Sequence, residues 1–373
     1  MKKILVVIGT RPEAIKMAPV VKALQQYPDR IDAKVCVTAQ HREMLDQVLK
    51  FFELVPDIDL DLMRHSQDLF DLTSDILLGL RDVLHRYAPD TVLVHGDTTT
   101  STITALAAYY FRIPVGHVEA GLRTYNSYAP FPEELNRQLT GRIASLHFAP
   151  TVFAKDNLMQ ERVPERDIFV TGNTVIDALH WARKRLNDYS DTEIRLLESI
   201  VDPQKKLILV TAPRRENLGD GIVNICHALR EIAVRNSVEI VFPVHLNPSV
   251  REPVYELLGD IQNIKLLPPL GYPAFTWLMI RSHFIITDSG GVQEEAPGLG
   301  KPVLVMREVT ERPEAVEVGV VKLVGTDTQR IVCEAEALIV DDGAYAEMSR
   351  ATNPYGDGQS AGRIVEALLQ QQL

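Results

Sequence analysis

The chain has 373 residues, with 46% hydrophobic and 24% charged, enough for two or three ordinary globular domains with cores of their own. Lys plus Arg (39) against Asp plus Glu (50) gives a net charge of −11. That balance excludes a general nucleic-acid binder, which needs a basic face, but not a small anion in a locally positive cleft. No apolar run approaches the roughly 18–20 residues of a membrane span, so no membrane partner is expected.

Short β-branched runs alternate with helical patterns from the start. Lys3–Ile8 reads as a strand, then Pro12–Gln26 as a helix with Pro12 in its first turn. The apolar start at Met1–Ile8 runs into Gly9-Thr10-Arg11-Pro12 with no small-residue cleavage site, unlike a signal peptide. A strand at Ala33–Thr38 and a helix at Met44–Phe52 follow, and Leu69, Leu72, Ile76, Leu80, Val83 and Leu84 keep helical spacing. Thr91–Val94, Pro114–Val118, Leu146–Phe148 and Ile168–Val170 are further strands. Leu186–Gln204 is polar and poorly patterned at its end, closing on Asp202-Pro203. The alternation then restarts, with strands at Leu207–Thr211, Glu239–Phe242, Ile264–Leu266, Phe284–Thr287 and Pro302–Val305. Helices fall at Ile222–Val234, Pro248–Leu258, Ala274–Ile280, Val292–Leu299 and near Gly362–Leu369. Such βα alternation means parallel sheets covered on both faces, here two doubly wound domains. Three cysteines (Cys36, Cys226, Cys333) lie far apart, with no Cys-x-x-Cys and no Cys/His cluster. No metal is expected, and a reducing cytoplasm is the simplest compartment.

Ligands of open parallel sheets bind beyond the carboxyl ends of the strands, so the residues just after each strand are the ones to read. After the first comes Gly9-Thr10-Arg11-Pro12-Glu13-Ala14-Ile15-Lys16, neither G-x-G-x-x-G nor a P-loop. Arg11 and Lys16 stand at a loop–helix junction that favours an anion, though on this motif alone a tight turn with two solvated cations is the favoured reading. His95-Gly96-Asp97-Thr98-Thr99-Thr100 offers Asp97 or a threonine as a helix cap, yet holds more polar groups than a cap requires. Glu119 follows an apolar strand directly, before Gly121. Pro132-Glu133-Glu134 starts a helix, where a first-turn role accounts for one glutamate better than for both. Asp97, Glu119 and Glu133 thus come from neighbouring loops of one sheet, as acid/base chemistry wants. Later, Asp288-Ser289-Gly290-Gly291 opens a helix whose glycines let backbone approach a phosphate, and Glu295 one turn on can reach a ribose. His245 reads as a structural histidine.

Ten segments, in order along nearly the whole chain, together resemble the bacterial non-hydrolysing UDP-N-acetylglucosamine 2-epimerases. They are GTRPEAIKMAP (9–19), TAQHREMLDQVL (38–49), VHGDTTT (94–100), GHVEAGLRT (116–124), PFPEELNRQLTG (130–141), TGNTVIDAL (171–179), PVHLNPSVREP (243–253), TDSGGVQEEAPGLGKPVL (287–304), TERPEA (310–315) and NPYGDG (353–358). The resemblance implies a GT-B fold: a Rossmann-like domain over 1–170, a nucleotide-binding one over 171–358, a last helix (359–373) crossing back, and the active site in the cleft between domains. It implies a cytoplasmic homodimer that interconverts UDP-GlcNAc and UDP-ManNAc without cofactor or metal, for a surface polysaccharide. By it, Asp97, Glu119 and Glu133 supply proton chemistry. Arg11, Lys16, Arg214, Ser289, Gly290, Gly291, Glu295 and Arg312 hold substrate and UDP. Gln40, His41, Glu134 and His245 belong to the cleft or a regulatory second nucleotide site, a role weakened by Glu43 and Ser66, where some relatives carry Gln and Arg.

One departure stands out. Where the family carries a histidine before Arg-Arg-Glu, the chain reads Thr211-Ala212-Pro213-Arg214-Arg215-Glu216. Proline has no side-chain donor, no titratable group and no backbone N–H. A slowed epimerase is therefore the leading expectation. A catalytically impaired UDP-sugar binder, a GT-B glycosyltransferase and a hydrolysing epimerase are the rivals.

Overall fold

The computed structural model describes the chain apart from residues 39–41, 63, 65–66, 213–216, 311 and 372–373, and the side chains of 42–44. The chain forms two compact units, Met1–Trp181 with Tyr355–Leu373, and Ala182–Pro354.

The first unit holds strands β1 (Lys2–Ile8), β2 (Ile31–Val37), β3 (Ile58–Asp59), β4 (Thr91–His95), β5 (Val115–Val118), β6 (Leu146–Ala149) and β7 (Ile168–Val170). Between and after them run α1 (Arg11–Leu24), α2 (Arg42–Phe51), α3 (Leu69–Tyr87), α4 (Thr99–Tyr110), α5 (Glu133–Ile143), α6 (Val152–Gln160) and α7 (Thr174–Arg185). Among the described residues the strands form one sheet in the order β3-β2-β1-β4-β5-β6-β7, paired in parallel throughout. The order reverses between β1 and β4, so their loops diverge there and open a crevice at the carboxyl edge. One face of the sheet packs Leu5, Val7, Val92 and Val94 against Ile76, Leu80 and Leu84 of α3 and Ala105 and Ala108 of α4. This is why the strands read as unbroken apolar runs.

The second unit holds α8 (Thr192–Ile200), β8 (Lys206–Thr211), α9 (Asp220–Arg235), β9 (Val238–Pro243), α10 (Pro248–Leu258), β10 (Ile264–Leu267), α11 (Tyr272–Arg281), β11 (Phe284–Thr287), α12 (Gly290–Gly298), β12 (Val303–Val305), α13 (Pro313–Glu317), β13 (Val321–Leu323), α14 (Thr328–Val340) and α15 (Asp342–Arg350). Its parallel strands run β10-β9-β8-β11-β12-β13, with the reversal between β8 and β11. The polar stretch Leu186–Gln204 contains α8. Asp191 caps it, accepting from the Ile194 N–H at 2.8 Å, and Ile194 and Leu197 supply its buried side.

α16 (Ser360–Gln370) then rejoins the first unit. It buries Ile364, Val365 and Leu368 and packs against α1. The limits read from sequence after residues 170 and 358 both fall inside the first unit. At one crossing Val175, Ile176, Ala178 and Leu179 of α7 are buried, and at the other Tyr355 accepts a hydrogen bond from the Asn173 N–H at 2.7 Å. No helix among the described residues is long and apolar enough to cross a membrane.

Candidate active site

The turn after β1 is built around a buried carboxylate. Thr10 caps α1 and Glu13 closes the reciprocal bond of a capping box. Glu13 is 1% exposed. One oxygen accepts the N–H groups of Gly9 and Thr10 at 3.0 and 2.7 Å. The other accepts the Thr98 hydroxyl, in the turn after β4, at 2.7 Å. Burial pushes the Glu13 carboxyl up to about 7, against the pull of these hydrogen bonds. Gly9 lets the turns close up, since a Cβ there would lie 2.1 Å from Thr100 Oγ1.

Thr98, not Asp97, caps α4, accepting from the Ser101 N–H at 3.0 Å. The Asp97 carboxylate is therefore available for other work, and it pairs with Arg137 of α5. Asn136 holds the Asp97 carbonyl at 3.0 Å. Burial raises the Asp97 carboxyl; Arg137 draws it down, Glu119 and Glu133 push it up, and Lys16 opposes them. These influences make Asp97, Glu119, Glu133, Lys16 and Arg137 one electrostatic cluster, and so bring the three expected carboxylates together.

Glu119 follows β5 with φ +62°, a left-handed backbone that a non-glycine residue holds only where its surroundings over-determine it. Its carboxylate pairs with Lys16, accepts the Asn173 amide at 3.0 Å and lies 3.8 Å from His95 Nε2. Below it is Gly96, where a Cβ would come 3.6 Å from Glu119 Oε1. His117 Nε2 donates to the Gly96 carbonyl at 2.7 Å. Burial lowers the His117 imidazole to about 3 and His147, on the next strand, to about 4, so both are neutral supports at neutral pH.

Glu133 and Glu134 open α5, with Pro132 one position earlier than expected, at the cap. Their environments differ completely. Glu134 is fully buried and accepts the Thr124 and Tyr125 N–H groups, each at 3.0 Å, and the Gln138 amide at 2.7 Å. Burial opposes its charge, yet those bonds and Arg137 together hold its carboxyl below the usual range. Its oxygens are occupied in pinning the 124–125 loop and in holding Gln138. Glu133 remains half-buried. Arg123 fixes the same loop through a forked pair with Glu161 at 2.6 and 2.8 Å. Arg11 lies half-buried in the first turn of α1.

In the second unit, the Thr287 hydroxyl accepts the Ser289 N–H at 2.9 Å and meets the Thr211 hydroxyl at 2.5 Å. Ser289 stands at the cap of α12 without a side-chain capping bond, so Ser-Gly-Gly is not a plain capped turn. Arg312 lies directly over Gly290, where a Cβ would fall 2.6 Å from its Nη1. Glu294 holds the guanidinium at 2.7 Å. Thr310, itself bonded to Gln293 at 2.7 Å, holds the Arg312 N–H at 3.2 Å. Glu295 faces the same start, its Oε1 3.6 Å from where a Gly291 side chain would begin. Ser289, Gly290, Gly291, Glu295 and Arg312 are thus gathered at one helix N-terminus, a setting that favours an anion. His245 is apart from them, exposed after β9, and its Nδ1 accepts the Asn247 N–H at 3.1 Å. Gln40, His41, Pro213, Arg214, Ser66 and the Glu43 side chain lie outside the described residues. Among the described residues no group of three or more His, Cys, Asp or Glu is placed to hold a metal ion.

A family model described as UDP-N-acetylglucosamine 2-epimerase matches residues 22–369. The chain belongs to the UDP-N-acetylglucosamine 2-epimerase family. It is 58% identical over 369 residues to the UDP-N-acetylglucosamine 2-epimerase of Salmonella typhimurium, covering 98% of each chain. It is 51% identical to the Neisseria meningitidis UDP-GlcNAc 2-epimerase solved with UDP-GlcNAc bound, with a TM-score of 0.90 over 99% of this chain and 100% of that one. The Methanocaldococcus jannaschii UDP-GlcNAc 2-epimerase, solved with UDP-GlcNAc and UDP, is 34% identical, with a TM-score of 0.81 over 99% of this chain and 100% of that one. The expected GT-B-like pair of Rossmann-like domains is borne out.

Sequence reading missed Glu13, Arg137 and Asn173. Glu13 left a signal, the Thr-x-x-Glu of a capping box at 10–13. Arg137 and Asn173 left none, because their partners Asp97 and Glu119 are 40 and 54 residues away.

Proposed function

We propose that the chain is an isomerase that interconverts UDP-GlcNAc and UDP-ManNAc by elimination and re-addition of UDP. The C2 proton of the sugar has no adjacent carbonyl, since C1 is an acetal. Breaking the C1–O bond with the electrons going to UDP, while a base takes the C2 proton, leaves 2-acetamidoglucal. UDP then returns to C1 as a proton arrives at C2 on the opposite face. That chemistry needs unlike acids in one place. The observation that carries the reading is the cluster itself: Asp97 paired with Arg137 and Glu119 paired with Lys16, in one electrostatic group with Glu133. Asp97, Glu119 and Glu133 are assigned the proton transfers. Ser289, Gly290, Gly291 and Arg312 are assigned the diphosphate, with Arg11, Lys16 and Arg214, and Glu295 the ribose.

We further infer a homodimer, for which Tyr109 and Tyr110 on α4 and Leu78 on α3, all more than half exposed, offer apolar surface. Light scattering would show a monomer if this is wrong. The exposed thiol of Cys333 suits a reducing cytoplasm.

One NMR tube tests the main reading. UDP-GlcNAc incubated with the protein in D2O should give UDP-ManNAc carrying deuterium at C2. UDP-GlcNAc that stays unchanged, or free ManNAc as the sole product, would overturn it.

A further inference from the structure

Two segments that stand out in the sequence, 171–179 and 353–358, take no part in the chemistry above. In the first unit they meet. Gly172 and Gly356 both have left-handed φ angles, +90° and +136°, and a Cβ on Gly172 would come 3.4 Å from Gly356 Cα. The Asn173 N–H donates to the Tyr355 carbonyl at 2.7 Å. The Asp177 carboxylate accepts the Ala361 and Ser360 N–H groups at 2.8 and 3.2 Å, capping α16. Arg363 ties the knot again, donating to the Thr171 carbonyl at 3.1 Å.

The side chain of Asn173, 2% exposed, runs from this knot to the acid cluster. Its Oδ1 accepts the Val175 N–H at 3.0 Å, which fixes the amide orientation, because only oxygen can accept there. The Nδ2 must then point the other way, and it donates to Glu119 Oε2 at 3.0 Å. We propose that Asn173 is a positioning residue for the reaction, aiming the Glu119 carboxylate by a hydrogen bond anchored in the 171–179/353–358 knot. The proposal rests on the epimerase reading for what Glu119 does. Glu119 has a strained backbone and a flexible side chain. Lys16 from α1 holds its carboxylate as a point charge, which draws it without orienting it. A fixed amide supplies the direction. Among the described residues, His95 on β4 and Asp97 after it are titratable groups that also face Glu119.

The test uses two variants of the full chain. Asn173→Asp keeps shape and the acceptor for Val175 but sets a second carboxylate against Glu119. The acid limb of the kcat–pH profile should move up by about one pH unit or more, with KM changed little. Asn173→Ser keeps a capping oxygen but cannot reach Glu119. It should lower kcat about tenfold to a hundredfold while UDP affinity stays within a few-fold. A role in folding alone would lower the active fraction without moving the pH profile. An Asn173→Asp profile that superimposes on the parent's, or losses in both variants that only track the folded fraction, would overturn the proposal. A 13C-carboxyl titration of Glu119, assigned with Glu119→Gln, reads the same upward move without turnover. A parent that makes no UDP-ManNAc would sink the epimerase reading, and this titration would still decide on Asn173.

Discussion

Replacing Glu13 by Gln should make the protein more stable at pH 8 and leave it nearly unchanged at pH 4.5. Gln keeps the length and an acceptor for the Gly9 and Thr10 N–H groups, and its NH2 can donate to Thr98. What it removes is the ionisation. The folded carboxyl is raised from 4.5 to about 7, chiefly by burial. Below 4.5 both folded and unfolded chains carry the proton, and the contribution is neutral. Between 4.5 and 7 the folded chain binds the extra proton, so stability falls as pH rises. Above 7 the loss is complete: 7 minus 4.5, at 1.36 kcal/mol per pH unit, is about 3 kcal/mol. For a unit of this size that corresponds to roughly 6–12 °C in midpoint. The chain's two tryptophans fall one to each unit, at 181 and 277, so Trp277→Phe leaves Trp181, stacked on Phe52 at 4.8 Å, to report on the first unit. Urea unfolding from pH 4.5 to 8, in that background with and without Glu13→Gln, gives the difference. A variant less stable than its parent at pH 8 would refute the reasoning, because it would mean that the hydrogen bonds to the carboxylate outweigh its burial.

Four further outcomes are expected. Asp97→Asn, Glu119→Gln and Glu133→Gln should each fold and bind UDP yet lose about 10²–10⁴-fold in turnover; near-normal C2 proton exchange in all three would end the three-carboxylate model. Gly290→Ala should displace the Arg312 guanidinium, 2.6 Å from the new Cβ, and weaken UDP binding about tenfold by calorimetry with little change in melting. UDP should bind after exhaustive chelation; binding that vanishes and returns with magnesium would contradict the assignment of the diphosphate to Ser289–Gly291. Pro213→His should raise kcat roughly 10–150-fold with UDP affinity little changed, if the family histidine stabilises departing diphosphate. A fast parent that gains nothing from it would show the histidine to be dispensable.

The sheets were legible because strands buried on both faces are continuous runs such as Ile4–Ile8 and Ile285–Thr287, cut off by Gly9 or Asp288. The two-residue β3 is too short to carry a period, and β13 breaks its apolar run with Lys322. At the site, the loops that hold the acids could be read from strand ends, but nothing in the sequence told the two first-turn glutamates at 133 and 134 apart. Which atom does what could not be read. Asp97 and Thr98 are both good caps, and only the packed structure shows that Thr98 takes the task, accepting the Ser101 N–H while it donates to Glu13, 85 residues away, and that Asp97 is left to Arg137. Pairings of that reach are settled by how elements pack.

The return of α16 also sets a timetable. Lys2, in the first strand, donates to the Leu368 and Gln371 carbonyls at 2.9 and 3.2 Å, and α16 covers α1. These partners are 366 residues apart, and synthesis at about 5–20 residues per second separates their emergence by roughly 20–70 s. In that time the ribosome makes the rest of the first sheet and then the whole of the other unit, while the flank of α1 that α16 will cover stays open. A chain that stops before residue 360 therefore has every strand of the first sheet but leaves that flank of α1 bare, a surface open to misassociation.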